Sequence, residues 1–115
     1  MTAAEEGARV DAWEVHVELL LTTPAPDAAG LCERLMDIMD GSHEFAATAT
    51  APSRGPAGAA ASAGGAFQIE SRTPGEAVDL AVTKTRRVLD EAGVGTRGVA
   101  EVKLLPGGVD PRTLL

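Results

Sequence analysis

The chain has 115 residues, a formal net charge of −7, 44% hydrophobic residues and a single cysteine, which suit one small globular domain without a disulfide or a multi-cysteine metal site. The acidic charge, with no basic cluster beyond Arg86-Arg87, argues against binding to nucleic acid. No apolar run approaches the roughly 20 residues of a membrane span, and the acidic start does not resemble a secretory signal, so we expect a cytoplasmic protein without membrane contact.

Residues 1–11 are small, polar and aperiodic, which predicts a flexible N-terminal segment. From Ala12 to Leu21, apolar and polar residues alternate strictly. This period of two predicts a strand buried on one face, with five residues inward: Trp13, Val15, Val17, Leu19 and Leu21. The other face carries three polar side chains: Glu14, His16 and Glu18.

Two prolines end this strand, because proline lacks the backbone N–H that a strand needs. Asp27 then predicts a helix start, since its carboxylate can accept hydrogen bonds from first-turn amides. The apolar residues that follow recur at helical spacing: Leu31, Leu35, Ile38 and Met39. Gly41 is a typical helix stop, so we expect a helix over residues 27–40. Cys32 would lie on its flank as a small, unreactive thiol.

A second strand is predicted over residues 43–51, with Phe45, Ala47 and Ala49 facing inward. These inward residues are mostly small, which favours a place at the edge of a sheet. Residues 52–65 are almost entirely Gly, Ala, Pro and Ser, and such a segment buries too little apolar surface to offset the entropy of ordering it. We therefore expect a flexible loop there, followed by a short third strand over residues 66–72.

The sequence Thr-Pro-Gly-Glu, beginning at Thr73, is a typical helix start, with a capping side chain followed by proline at the first helical position. Apolar residues then keep a period of about 3.6 residues as far as Ala92, and a glycine follows. A last strand is predicted over residues 99–105, before a C-terminal tail at 107–115.

The element order is therefore β-α-β-β-α-β, which is the order of the ferredoxin-like sandwich. We expect an α+β fold in which residues 12–106 form a single domain. Its four antiparallel strands would lie in the spatial order 4-1-3-2, with both helices on one face of the sheet. The first strand, which has the most regular apolar pattern, would then be central.

The sheet face away from the helices is one candidate functional surface. It would carry seven polar side chains: Glu14, His16, Glu18, Gln68, Glu70, Glu101 and Lys103. Carboxylates around one imidazole could bind a cation or transfer protons. The alternatives are a solvated polar face, which the sequence favours, and a dimer interface. We assign no catalytic and no metal-binding residue to this face.

The stretch Asp27-Ala28-Ala29-Gly30-Leu31 and the helix after it resemble the first loop and helix of ACT domains, small regulatory modules with the same element order. The ACT pattern is Asp-x-Pro-Gly-Leu; Asp27, Gly30 and Leu31 fit it, and Ala29 stands in place of the proline. The resemblance implies that these three residues bind an amino acid or a similar ligand at a dimer interface. Free amides at a helix N-terminus attract a carboxylate, and glycine allows close approach. The alternative is that Asp27 only caps the helix.

We therefore expect a non-catalytic, self-associating module, a homodimer without cofactors, that binds a small ligand or regulates a partner. Two other functions stay open. One is a protein-interaction adaptor without a ligand, using the 52–65 loop or the open sheet face. The other is a small dimeric α+β-barrel enzyme, in which His16 and Glu18 would face a cavity between two sheets. The composition, rich in Ala, Gly and Arg, favours a bacterial origin.

Overall fold

The computed structural model describes residues 11–40, 45–52 and 58–106. It contains six elements: strand β1 (Asp11–Ala25), helix α1 (Ala28–Ile38), strand β2 (Phe45–Thr50), strand β3 (Ala60–Ser71), helix α2 (Pro74–Glu91) and strand β4 (Thr96–Pro106). Three parts of the sequence-based prediction lie outside the described residues: the tail 107–115, the helix stop at Gly41, and the N-terminal segment 1–11 except for its last residue.

The four strands form one antiparallel sheet, which together with the two helices confirms the predicted α+β class. The strands are ordered β2-β3-β1-β4, and the sequence of neighbours is 4-1-3-2 when it is counted from the β4 edge. Strands β1 and β3 are therefore central, while β2 and β4 are the two edges. In the register of the sheet, Val17 of β1 lies opposite Gly65 of β3 and Val102 of β4.

The core lies between one face of the sheet and both helices. The inward side chains of β1 are buried as the alternation predicts, from Val15 to Leu21. They join one apolar cluster with Leu31 and Leu35 of α1 and with the inner face of α2: Ala77, Ala81, Val88 and Leu89. Because both helices contribute side chains to this single cluster, they pack on the same side of the sheet. No helix of the described residues covers the other side.

Both helix starts are capped by the side chains that the sequence predicts. Asp27 Oδ1 accepts a hydrogen bond from the Gly30 amide at 3.0 Å, and Thr73 Oγ1 accepts one from the Glu76 amide at 3.2 Å. The predicted end of the first helix at residue 40 is wrong, because α1 stops at Ile38. Asp40 has a φ of 55°, a left-handed conformation that Asp tolerates better than most residues and that cannot continue a helix.

The predicted start of the third strand at residue 66 is also wrong, because β3 begins at Ala60. Residues 60–65 of the predicted 52–65 loop belong to the sheet, pairing with β1 on one side and largely with β2 on the other. A Cβ at Gly64 would collide with the Val17 carbonyl oxygen, and one at Gly65 would lie 2.5 Å from the Ala46 oxygen and from the Phe45 ring. Small residues here allow close approach of the neighbouring strands.

The first and last strands are also longer than predicted. Strand β1 continues through Pro24 to Ala25, with an irregular register after Leu20. Strand β4 begins at Thr96 rather than at residue 99 and shifts register opposite Glu18 and Leu19, which is typical of a β-bulge.

We predict that Gly65→Ala destabilises the fold by about 2 kcal/mol or more, because the new methyl group has to displace the Phe45 ring and the Ala46 carbonyl. Gly75→Ala is the matched control. Nothing lies within 4 Å of a Cβ at Gly75, in the first turn of α2, so this change should stabilise by about 0.5–1 kcal/mol. Urea unfolding, followed by the fluorescence of Trp13, measures the free energy of unfolding of both variants. Equal effects of the two substitutions would contradict the conclusion that Gly65 has no space for a Cβ.

Candidate functional site

The sheet face opposite the helices, here called the open face, gathers the polar side chains that the sequence placed there. In the register of the sheet, Glu14 lies opposite Gln68, His16 opposite Lys103 and Glu18 opposite Glu101. The fold therefore brings together residues that are far apart in the chain. They form two small polar clusters and one separate hydrogen-bond network.

At one end of the open face, Glu14 holds two neighbours. Its Oε2 lies 2.9 Å from His16 Nε2, and its Oε1 accepts a hydrogen bond of 3.0 Å from Gln68 Nε2. At the outer edge, Lys103 Nζ lies 3.2 Å from Glu101 Oε1 along the same strand. The Glu14–His16 and Glu101–Lys103 contacts are substantially exposed, so each contributes little to stability.

Glu18 turns away from both groups and reaches across the sheet. Its carboxylate accepts hydrogen bonds from Thr50 Oγ1 at 2.7 and 2.8 Å, and one from the Ser62 hydroxyl at 3.2 Å. Gly64 lies directly opposite Glu18 on β3, so no side chain blocks the path to β2. Glu18 thus ties the central strand β1 to the edge strand β2.

Glu14, Glu18 and Glu101, which the sequence could have placed around His16, do not converge on it. Glu14 alone contacts the imidazole, Glu18 is bound to hydroxyls, and Glu101 is paired with Lys103. Within residues 11–40, 45–52 and 58–106, no group of three His, Cys, Asp or Glu side chains is arranged to hold a metal ion. A shallow depression of about 190 Å³ lies between these networks, lined by His16, Glu18, Thr48, Glu101 and Lys103, among others.

The residues that resemble the ACT motif lie together at the start of α1. Three backbone amides of this stretch are engaged by the chain itself: Ala28 donates to the Gly58 carbonyl at 2.7 Å, and Gly30 and Leu31 both donate to Asp27. The side chain of Leu31 is buried in the core. The Asp27 carboxylate therefore already binds a free amide of the helix start.

The structure also shows a groove that the sequence analysis missed, between α1 and the edge strand β2. We call it the α1–β2 groove; its volume is about 520 Å³, and it is lined by Cys32, Glu33, Met36, Asp37, Ala46 and Ala47. Met36 Sδ accepts a hydrogen bond of 3.4 Å from the Ala47 amide. One sequence signal could have indicated this groove. Cys32 and Met36 each directly follow a buried leucine of α1, Leu31 or Leu35, and so flank the buried face of the helix.

The second missed feature is the apolar character of the β4 edge. Val99, Val102 and Leu105 are 47%, 37% and 36% exposed, and β4 supplies three of the four large exposed apolar side chains in the described chain. Val99 and Val102 lie opposite the buried Leu19 and Val17, so they share the helix side of the sheet. Helix α2 packs mainly over β1 and β3, which leaves these two side chains partly uncovered.

Comparison with known proteins gives no match: no protein-family model fits the sequence, and no curated protein or solved structure is significantly similar to the chain. Among the helices that the structure describes, none is long and apolar enough to cross a membrane.

Burial, with a further contribution from the negative charge of Glu18, raises the pKa of the Cys32 thiol above its ordinary value. We predict that iodoacetamide alkylates Cys32 more slowly at neutral pH than it alkylates free cysteine, because less thiolate is present. The raised pKa also means that the thiol favours the fold below its unfolded pKa and that this contribution is lost as the pH rises toward the folded pKa.

The matched variant is Glu18→Gln, which removes the charge and keeps a hydrogen-bond acceptor for Thr50 and Ser62. The midpoint of the alkylation rate against pH should then shift to lower pH, while remaining above that of free cysteine because burial persists. A midpoint in the unaltered protein equal to that of free cysteine would contradict this account.

Proposed function

We propose that this protein is a non-catalytic, self-associating module of ferredoxin-like topology, similar to ACT domains, in which two copies join through strand β4. The observation that carries the proposal is the exposed apolar edge of β4. An edge strand that is long, uncovered and apolar is a ready template for pairing with another chain. A two-fold axis would let the same edge serve both copies.

The backbone of β4 has the orientation that such pairing needs. The Val17 carbonyl oxygen lies beside Gly64 of β3, so odd-numbered residues of β1 direct their hydrogen-bonding groups toward β3. Even-numbered residues of β1, such as His16, then direct their N–H and C=O groups toward β4. Lys103 lies opposite His16, so its own N–H and C=O groups point back toward β1. By alternation, the N–H and C=O groups of Val102 and Leu104 point outward, where a second strand would lie.

The charges of β4 match a symmetric partner. In an antiparallel pair centred on Val102, Val102 lies opposite its own counterpart, Glu101 lies opposite Lys103 of the second copy, and Lys103 lies opposite Glu101 of the second copy. Both ion pairs fall on the open face, and the two valines fall on the helix side. This register therefore combines apolar contact with charge complementarity.

The expected non-catalytic character rests on the open face. Three of its carboxylates are held in separate contacts: Glu14 with His16, Glu18 with the hydroxyls of Thr50 and Ser62, and Glu101 with Lys103. General acid–base catalysis needs groups converging on one reacting atom. Pairing through β4 also leaves the two open faces uncovered rather than enclosing a cavity between them.

We predict that Glu101→Lys or Lys103→Glu alone shifts the protein toward the monomer, because each places like charges opposite one another in the pair. The double exchange Glu101→Lys with Lys103→Glu restores complementarity and should restore the dimer. Mixing the two single variants should also give dimers, since one copy then carries two lysines and the other two glutamates. Sedimentation velocity at several protein concentrations measures the association.

Thermal melts serve as the control, since both single variants also break the exposed Lys103–Glu101 ion pair and should lose little stability by that alone. A dimer that neither single variant weakens would refute pairing through β4 and would direct attention to the open face or to β2. An unaltered protein that stays monomeric at all concentrations would refute self-association altogether.

The ligand part of the proposal places an amino acid or similar carboxylate at Asp27, Gly30 and Leu31, and the resemblance to ACT domains supports it. Because Asp27 already binds the helix start, a ligand has to displace its carboxylate. We predict that ligands which raise the melting temperature do so more strongly in Asp27→Asn, which keeps a capping side chain and removes the competing charge. A screen of amino acids that shifts neither protein would remove this part of the proposal and leave the rest.

A further inference from the structure

We propose that the α1–β2 groove binds an extended, cationic peptide segment of a partner protein, which adds a strand to the outer edge of β2. This inference goes beyond the proposed function, because it uses the opposite edge of the sheet from β4. A dimer joined through β4 would carry two such grooves, one on each outer side.

The backbone of β2 is oriented to accept a further strand. Ala47 donates its amide to Met36 and not to β3, while the Ala46 carbonyl oxygen points toward Gly65 of β3. Alternation along the strand therefore turns the N–H and C=O groups of Ala47 and Ala49 outward. No strand of the described chain lies beyond this edge.

Met36 holds the position that a peptide carbonyl would take. A thioether sulfur is a weak acceptor, and the bond of 3.4 Å from the Ala47 amide is long. A peptide carbonyl is a stronger acceptor, so a strand docked against β2 improves the hydrogen bonding of Ala47. The flexible methionine side chain can swing aside and still cover apolar surface.

The groove beside this edge has room for one side chain of the added strand. Its half-buried lining is apolar at Cys32, Met36 and Ala47, and its volume is about 520 Å³. In strand addition, main-chain hydrogen bonds give affinity, and a pocket for alternate side chains gives specificity. The raised pKa of Cys32 keeps its thiol neutral, which is compatible with an apolar occupant.

The charge of the groove selects a cationic occupant. Glu33 and Asp37 are exposed, lie one helical turn apart on α1 and line the groove, and none of its described lining residues is Lys or Arg. The nearby Arg34 instead donates to the Ala92 carbonyl oxygen at 3.2 Å. With a chain charge of −7 as well, a segment that alternates basic and apolar residues fits both the acidic rim and the apolar floor.

The test uses a fluorescent peptide of alternating lysine and valine as the probe, with fluorescence anisotropy as the readout. A second peptide of the same sequence is N-methylated on the alternate residues of one edge, which removes its ability to pair as a strand there. We expect the first peptide to bind and the N-methylated one to bind at least about tenfold more weakly. A peptide of alternating glutamate and valine should not bind.

Two double variants with the same change in net charge distinguish the effect of the groove's own charges on peptide binding from the effect of the protein's overall acidity. Glu33→Gln with Asp37→Asn should weaken binding about tenfold, because both changes remove charge from the rim. Asp79→Asn with Asp90→Asn on α2 removes the same charge from exposed positions outside the groove and should change binding less than twofold. All four substitutions are nearly isosteric, and thermal melts confirm folding.

Amide hydrogen exchange locates the bound peptide. Exchange at Ala47 and Ala49 should slow when the peptide is added, whereas exchange at Val102 and Leu104 should not change. Equal binding of the N-methylated peptide, equal weakening by the two double variants, or protection only on β4 would each overturn the inference. Repeating the titration with Lys103→Glu, in which β4 pairing is disrupted, shows that the groove binds independently of the proposed dimer.

Discussion

The close approach of the strands at Gly64 and Gly65 is the constraint on which the rest of the structure depends. At these two positions there is no space for a Cβ, because the Val17 carbonyl lies against one and the Phe45 ring and the Ala46 carbonyl lie against the other. The absence of a side chain at Gly65 lets Phe45 cover it on the helix side and contact Phe67, with the ring centroids 4.9 Å apart and the ring planes tilted by 50°. A chain with only three aromatic residues thereby places two of them together in its core.

The same glycines shape the opposite side of the sheet. Since Gly64 has no side chain, the carboxylate of Glu18 can pass over β3 and bind Thr50 on the edge strand. Glu18 is therefore bound to Thr50 and Ser62 rather than to His16. The packing of the core and the chemistry of the open face therefore have a common cause in two adjacent residues of β3.

Local sequence patterns allowed part of the fold to be predicted, whereas features that depend on tertiary packing could not be predicted. The alternation in β1 and the caps at Asp27 and Thr73 are local patterns, and the structure confirms them. The segment 60–65 could not be interpreted from its composition, because Ala and Gly are typical both of unfolded loops and of strands packed too closely for larger side chains. The α1–β2 groove could not be predicted, because it depends on where a helix lies beside an edge strand.

The two edges of the sheet differ in ways that underlie the two proposed partners. The β2 edge is short, is flanked by α1 and has the Ala47 amide covered by a sulfur, all of which oppose uncontrolled pairing of like strands. Its acidic rim repels a second copy of an acidic chain and favours a cationic segment. The β4 edge is only partly covered by α2 and carries Glu101 and Lys103 on its open-face side, which suit the proposed symmetric copy. An edge with charges of one sign favours a different molecule, whereas an edge with both signs, symmetrically spaced about Val102, favours itself.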